Sequence, residues 1–231
     1  MARPTKDKQI PHRSAAIKQA AWQQIAKTGA AALSLRAIAR DLNITAPAIY
    51  NYFSRRDDLV TALIVDAFTS LGESQKEAID EVPDHNPGMR LSILGFAYRD
   101  WALASPQRYQ LIFGTPIPNY AAPVEITTQA AAKSIVPLAQ TLQACWQTNV
   151  RGAQQNAPMS SELRTMLQEW SQFTGGVDIE VLYAALVIWS RVHGLVSLEL
   201  GHQFPAFITN PGEVFRREMA TLRMHYSRED P

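Results

Sequence analysis

From residue 13 onward apolar side chains return every three or four positions, and no stretch of any length alternates apolar and polar residues with period two. A 3.6-residue period gathers apolar groups on one helical face, whereas a half-buried strand needs strict alternation. The chain is therefore expected to be all-α. Local signals divide the pattern into elements. Ile17, Ala20, Ala21, Trp22 and Ile25 define a helix over 13–28, which Gly29 closes. Ser34 is placed to cap a short helix over 35–42, with Leu35, Ile38, Ala39 and Leu42 on one side. Asn43 tolerates a left-handed backbone, so Asn43-Ile44 reads as a tight turn. Thr45 is expected to cap a third helix over 46–53, with Pro47 in the first turn, where a missing N–H is harmless. Ser54 and Asp57 stand at capping-box spacing, which starts a longer helix at Arg55 and runs it toward Glu81. Further helices are expected over 88–104, 106–113, 124–150 with a kink at Pro137, 161–173, 178–201 and 212–227. The stretches 114–123 and 151–158 are the expected mobile connections.

Charge is divided unevenly along the chain. The net charge of the whole is +1, but residues 1–56 carry ten Lys/Arg against two acids, a net +8, and residues 57–231 carry 12 against 19, a net −7. A basic head on an acidic body suits a module that sits on phosphates joined to one that stays away from them. The domain boundary is accordingly drawn between 1–56 and 57–231.

The head has the layout of a helix-turn-helix, two short helices joined by a tight turn. The third helix would be the recognition helix. Thr45, Ala46, Pro47 and Ala48 at its start are small enough to let backbone approach base edges, and the Ala methyls suit thymine methyls. Tyr50, Asn51 and Tyr52 could reach phosphate oxygens, and Arg55 and Arg56 add charge at the start of the fourth helix. Arg36 is the long fork in reach of a base edge, guanine above all.

Ile17-Lys-Gln-Ala-Ala21, Ser34-Leu-Arg-Ala-Ile-Ala39 and Ala48-Ile-Tyr-Asn-Tyr-Phe-Ser-Arg-Arg-Asp-Asp-Leu59 together resemble the TetR family of bacterial transcriptional regulators over about residues 13–65. The resemblance implies that Arg36, Thr45, Ala46, Pro47, Ala48, Tyr50, Tyr52 and Arg56 face DNA. Two positions depart from the family pattern: Asn43 replaces the usual turn glycine, and Ala46 and Ala48 replace residues that are often polar. Asp100-Trp-Ala-Leu-Ala104, Pro106-Gln-Arg-Tyr109, Phe113-Gly114 and Trp189-Ser-Arg-Val-His-Gly194 resemble a described C-terminal class of the family, named for its Trp, His and Gly. The expected protein is a homodimeric regulator of a palindromic operator in double-stranded DNA, more often a repressor in this family, with a larger helical domain for dimerisation and a small apolar or aromatic effector. The rival from another class is an architectural or adaptor protein with the same head and a filled C-terminal core that answers to a protein partner.

Within the body, Phe96, Tyr98, Trp101, Tyr109, Phe113, Trp146, Trp170 and Trp189 could enclose a pocket, with Arg99, Arg108 and His193 to orient a ligand; they equally suit a packed core. Ser190, Gly194, Ser197 and Gly201 fall on one side of the helix over 178–201 and would let a partner helix approach, although Gly194 could instead pack within its own chain. Phe215, Met219 and Leu222, beside Val214, are expected to complete a four-helix bundle across the two-fold axis, while Leu182, Leu186, Trp189 and Val196 turn toward the protomer core.

Other classes are set aside. With 46% apolar and 19% charged residues the chain is neither disordered nor a disulfide scaffold, and the lone Cys145 reads as a buried hydrophobe. The longest unbroken apolar run, 181–189, is nine residues, about half of what a spanning helix needs. No membrane partner is expected, and a cytoplasmic location is. His12, His85, His193, His202 and His225 show no metal-ligand spacing, and no catalytic motif or cofactor loop is present. No enzyme, metal or cofactor is expected.

Overall fold

A computed structural model describes residues 6–148 and 157–226. Among these residues there are α-helices, one short 3-10 turn and no strand. The chain folds into two compact units, Met1–Ala67 with Ser105–Thr128, and Phe68–Ala104 with Gln129–Pro231.

The first unit is built on α1 (Lys6–Thr28), α2 (Leu35–Asp41), α3 (Ala46–Tyr50), the first half of α4 (Arg56–Asp80) and α6 (Pro106–Phe113). Gly29 at φ 78° ends α1, and the chain then makes the 3-10 turn Ala30–Ala32. The Ser34 hydroxyl accepts from the Ala37 N–H at 3.4 Å and starts α2. Asn43 takes φ 53°, and the Ile44 N–H returns to the Ala39 carbonyl at 2.9 Å, so the turn forms without glycine. Ile17, Ala21, Ile38, Ile49, Leu59 and Leu63, each 1% exposed or less, are its core. Burial of an Ile or Leu side chain contributes roughly 1.5–3 kcal/mol.

Local details differ from the expectations. The Thr45 side chain makes no cap bond to α3, which ends at Tyr50 rather than 53. There the Ile49 carbonyl receives both the Tyr52 and Phe53 N–H groups, at 3.0 and 3.1 Å, and the chain leaves the helix. The capping box is displaced by one residue: Asp58, not Asp57, reaches back, and its Oδ2 accepts from the Arg55 N–H at 3.0 Å. The loop at 114–123 is anchored by a 2.9 Å hydrogen bond between the Tyr120 and Thr61 hydroxyls.

The second unit contains the rest of α4, α5 (Pro87–Ala104), most of α7 (Val124–Thr148), α8 (Ser161–Ser171), α9 (Ile179–Leu200) and α10 (Pro211–Tyr226). α7 runs through Pro137. α5 packs on α9 and α10, and α8 packs on α9. Gly95 sets the closeness of α5 and α10, since a Cβ there would stand 2.1 Å from the Met219 sulfur. The connection expected at 151–158 lies outside the described residues except for 157 and 158, as does Ser227. α9 is long and apolar enough to cross a membrane. Its Val181, Leu182, Ala185, Ile188, Val192 and Val196 are buried, in a helix packed against α5, α8 and α10, which marks a core helix.

Candidate nucleic-acid interface and helical cavity

The turn between α2 and α3 brings the sequence-predicted contact residues to the surface of the first unit. Ile49 is fully buried and anchors α3, while Thr45, Ala46 and Pro47 at its start are exposed and Ala48 is half-buried. Tyr50 is 40% exposed despite its size, Asn51 is exposed and Tyr52 half-buried. Arg36, in the first turn of α2, is exposed and pairs with none of the described residues. The Arg55 side chain is 78% exposed and holds Asp58 at 3.2 Å. An ion pair this exposed exchanges readily for a phosphate. Arg56 is half-buried and engaged within the unit. Its Nη2 donates to the carbonyls of Ala30 and Ala31, each at 3.0 Å, and ties the 3-10 turn to the start of α4. Sequence reasoning missed this because nothing local announces a bond across 26 residues.

In the second unit, α4, α5, α7, α9 and α10 enclose a cavity of about 30 Å³, room for one or two water-sized molecules. Tyr98, Trp189, Ser134 and Gln75 line it, with aliphatic groups such as Leu91 and Ile188 around them. The Tyr98 hydroxyl and His193 Nδ1 are hydrogen-bonded at 2.9 Å, Ser197 Oγ stands 3.4 Å from His193 Nε2, and the Trp189 ring stacks on the imidazole at 5.0 Å. Burial lowers the His193 pKa below its usual value, which keeps the ring neutral near pH 7. Arg99 donates to both Glu199 carboxylate oxygens, at 2.7 and 2.5 Å, and lies over the Phe215 ring. The fork pins α5 to the end of α9 and raises the guanidinium pKa further. Burial also pushes the Cys145 thiol up to about 11, so it stays protonated and inert. Among the described residues no cluster of three or more His, Cys, Asp or Glu side chains could hold a metal.

Residues 17–63 match the family described as bacterial regulatory proteins, tetR family, and residues 91–222 match the tetracyclin repressor-like C-terminal domain. The HTH-type transcriptional regulator Rv1816 of Mycobacterium tuberculosis is 35% identical over 212 residues, covering 90% of this chain and 89% of that protein. The chain belongs to the TetR family. A solved regulatory protein, SCO4313, superposes with a TM-score of 0.76 at 36% identity, over 95% of this chain and 98% of the other. A TetR-family protein from Rhodococcus RHA1 shares the fold at a TM-score of 0.60 and 19% identity, over 94% and 98% of the two chains. As a TetR-family member the protein is a DNA-binding transcriptional regulator and not an enzyme.

Of the aromatic residues that could enclose a pocket, Tyr98 and Trp189 line the cavity and His193 bonds to Tyr98. The others do not line it. Phe96 packs on Phe215 at 5.8 Å, Trp101 donates its indole N–H to Ser70 at 3.1 Å, and Tyr109 and Phe113 pack on one another in the first unit. Trp146 and Trp170 are half-buried away from the cavity. Aromatics at helical spacing fill cores wherever helices meet, so spacing alone could not select the two. The expected interface set also divides. Phe215, Met219 and Leu222 are 1, 1 and 2% exposed in the single chain, so they are protomer core under α5 and cannot face a partner. Leu186, expected inside, is 39% exposed. Ser190 and Gly201 are exposed, Gly194 and Ser197 half-buried, and a Cβ at Gly194 would meet nothing within 4 Å. Gln75 was not singled out from the sequence, although a Gln one turn from Leu71 and Ile79 on a buried stripe is a readable signal.

Proposed function

We propose that the protein is a homodimeric repressor that holds a palindromic operator through α3 and releases it when a small effector enters the C-terminal unit. The observation that carries the operator reading is the exposed, unengaged set Arg36, Thr45, Ala46, Pro47, Tyr50 and Asn51 on the helix-turn-helix. In the proposed complex Arg36 reads a base edge, the small residues at the start of α3 lie against bases, and Tyr50, Asn51, Tyr52 and Arg55 hold phosphates. Arg56 acts indirectly, by fixing the turn before α2.

Dimerisation is assigned to the open side of α9. Leu186, Val187 and Leu198 are 39, 37 and 37% exposed there, and Ser190 and Gly194 leave room between them for a second helix. Two recognition helices must lie about 34–36 Å apart to enter successive turns of DNA. α4 begins in the unit that carries α3 and ends in the unit that holds the cavity. An effector that prefers one placement of α4 changes that separation; one without a preference changes nothing.

The adaptor reading keeps one supporting observation. The cavity volume of about 30 Å³ is far below that of a site for a drug-sized ligand. Thermal-shift screening combined with operator binding separates the two: stabilisation and operator release by one chemical class favour the sensor, and a silent screen favours a protein partner.

Binding-site selection tests the operator reading. Arg36→Ala is expected to weaken specific binding by roughly 1–3 kcal/mol and to relax preference at one base pair per half-site. An unchanged sequence preference for the variant would remove Arg36 from base recognition.

A further inference from the structure

Gln75 stands on the stripe of α4 where hydrocarbon is expected. Leu71 and Ile79, one turn away on either side, are 1 and 9% exposed, and Gln75 itself is 5% exposed. Its Oε1 is buried and accepts no hydrogen bond from any described residue. A buried carbonyl oxygen left unpaired is unfavourable, and an apolar side chain of similar shape would have avoided the penalty. Gln75 is among the residues that line the cavity of the second unit, so a molecule that widens the cavity comes up against its amide.

The rest of the lining narrows the chemistry. Leu91, Leu94, Ile135, Leu138 and Val192 supply hydrocarbon, Tyr98 and Ser134 supply hydroxyls, and no Lys, Arg, Asp or Glu is among the lining residues. An ionised ligand would lose its hydration there and gain no counter-charge. The wall can also give way. Met219 closes one side with its sulfur against Gly95, and an unbranched thioether readily takes another rotamer.

We infer that the cavity admits a neutral, largely apolar molecule with one hydrogen-bond donor, an alcohol, phenol or N–H compound, and that Gln75 Oε1 receives the donor. This rests on the effector reading above and names the class of effector. Entry moves the Met219 side chain, because the present space of about 30 Å³ accommodates the donor group and little of a ring.

Four single-ring probes test it: phenol, anisole, toluene and benzoate, with melting temperature and tryptophan fluorescence as readouts on the full chain. Phenol is expected to bind about fivefold more tightly than anisole or toluene, the increment of one net hydrogen bond, and benzoate not at all. In Gln75→Leu the preference for phenol disappears while toluene still binds, and the empty protein melts at a higher temperature because the unpaired oxygen is gone. Met219→Ala, which enlarges the cavity, strengthens phenol binding and guards against a wild-type wall that stays shut. Equal binding of phenol and anisole, binding of benzoate, a preference that survives Gln75→Leu, or silence of all four probes with both wild type and Met219→Ala would overturn the inference. Operator release by a compound of any other class would sink this inference alone and leave the effector reading standing.

Discussion

Gly194 gives the sharpest test of how two protomers meet. It lies in the interior of α9, where glycine is less favourable than alanine by about 0.8–1.0 kcal/mol. Within one chain nothing requires it, since an added Cβ would meet no atom within 4 Å. If that side of α9 faced only water, Gly194→Ala would recover the propensity and raise the melting temperature by about 2–4 °C for a chain of this size. With a partner helix close against it, the methyl instead intrudes between two backbones. Gly194→Leu intrudes further, at about 1–3 kcal/mol for each overpacked contact, and the two-fold axis places the contact on both protomers. The expected outcome is that Gly194→Leu keeps its helical circular dichroism, sediments as a monomer and loses operator affinity, because one half-site supplies too few contacts. Melting at two protein concentrations supplies the control, as only a dimer shows a concentration-dependent midpoint. A Gly194→Leu protein that sediments as a stable dimer, or a Gly194→Ala protein that gains the 2–4 °C with its dimer dissociation constant unchanged, would refute the assignment.

Two other substitutions follow from single observations. Arg56→Ala removes the two 3.0 Å bonds to the Ala30 and Ala31 carbonyls, so it is expected to destabilise the first unit by about 1.5–3 kcal/mol in denaturant melts; unchanged stability with a reduced salt slope of DNA binding would return Arg56 to the phosphate backbone. His193 has a folded-state pKa below its unfolded value, so as pH falls through about 6.5 the unfolded chain protonates first and stability drops until the folded imidazole also charges. Between pH 7.5 and 5.5 the wild type should therefore lose more melting temperature than His193→Gln, and parallel losses would show that the imidazole is not the titrating group.

Much of the DNA-binding head was legible because its signals are local. A hydroxyl before Leu35, an asparagine at the one left-handed turn between α2 and α3, and a proline in the first turn of α3 each act on backbone groups only a few residues away. Even the misplaced capping box was a local ambiguity: Ser54 precedes Asp57 and Arg55 precedes Asp58 at the same spacing, and only the folded backbone chose the second pair. The body was legible as helices but not in what covers them. The stripe Phe215, Met219 and Leu222 had to be buried, and periodicity says nothing about whether a helix of the same chain or of a second one does it. α5 does, because Gly95 lets Met219 come close. In the same way, spacing offered eight equivalent aromatics as pocket residues, and packing left Tyr98 and Trp189 at the cavity. Helix formation is fixed by neighbours within a turn, whereas burial, pairing and vacancy depend on contacts that close loops of a hundred residues, such as Tyr98 with His193 and Arg99 with Glu199. Those contacts exist only once the helices have packed.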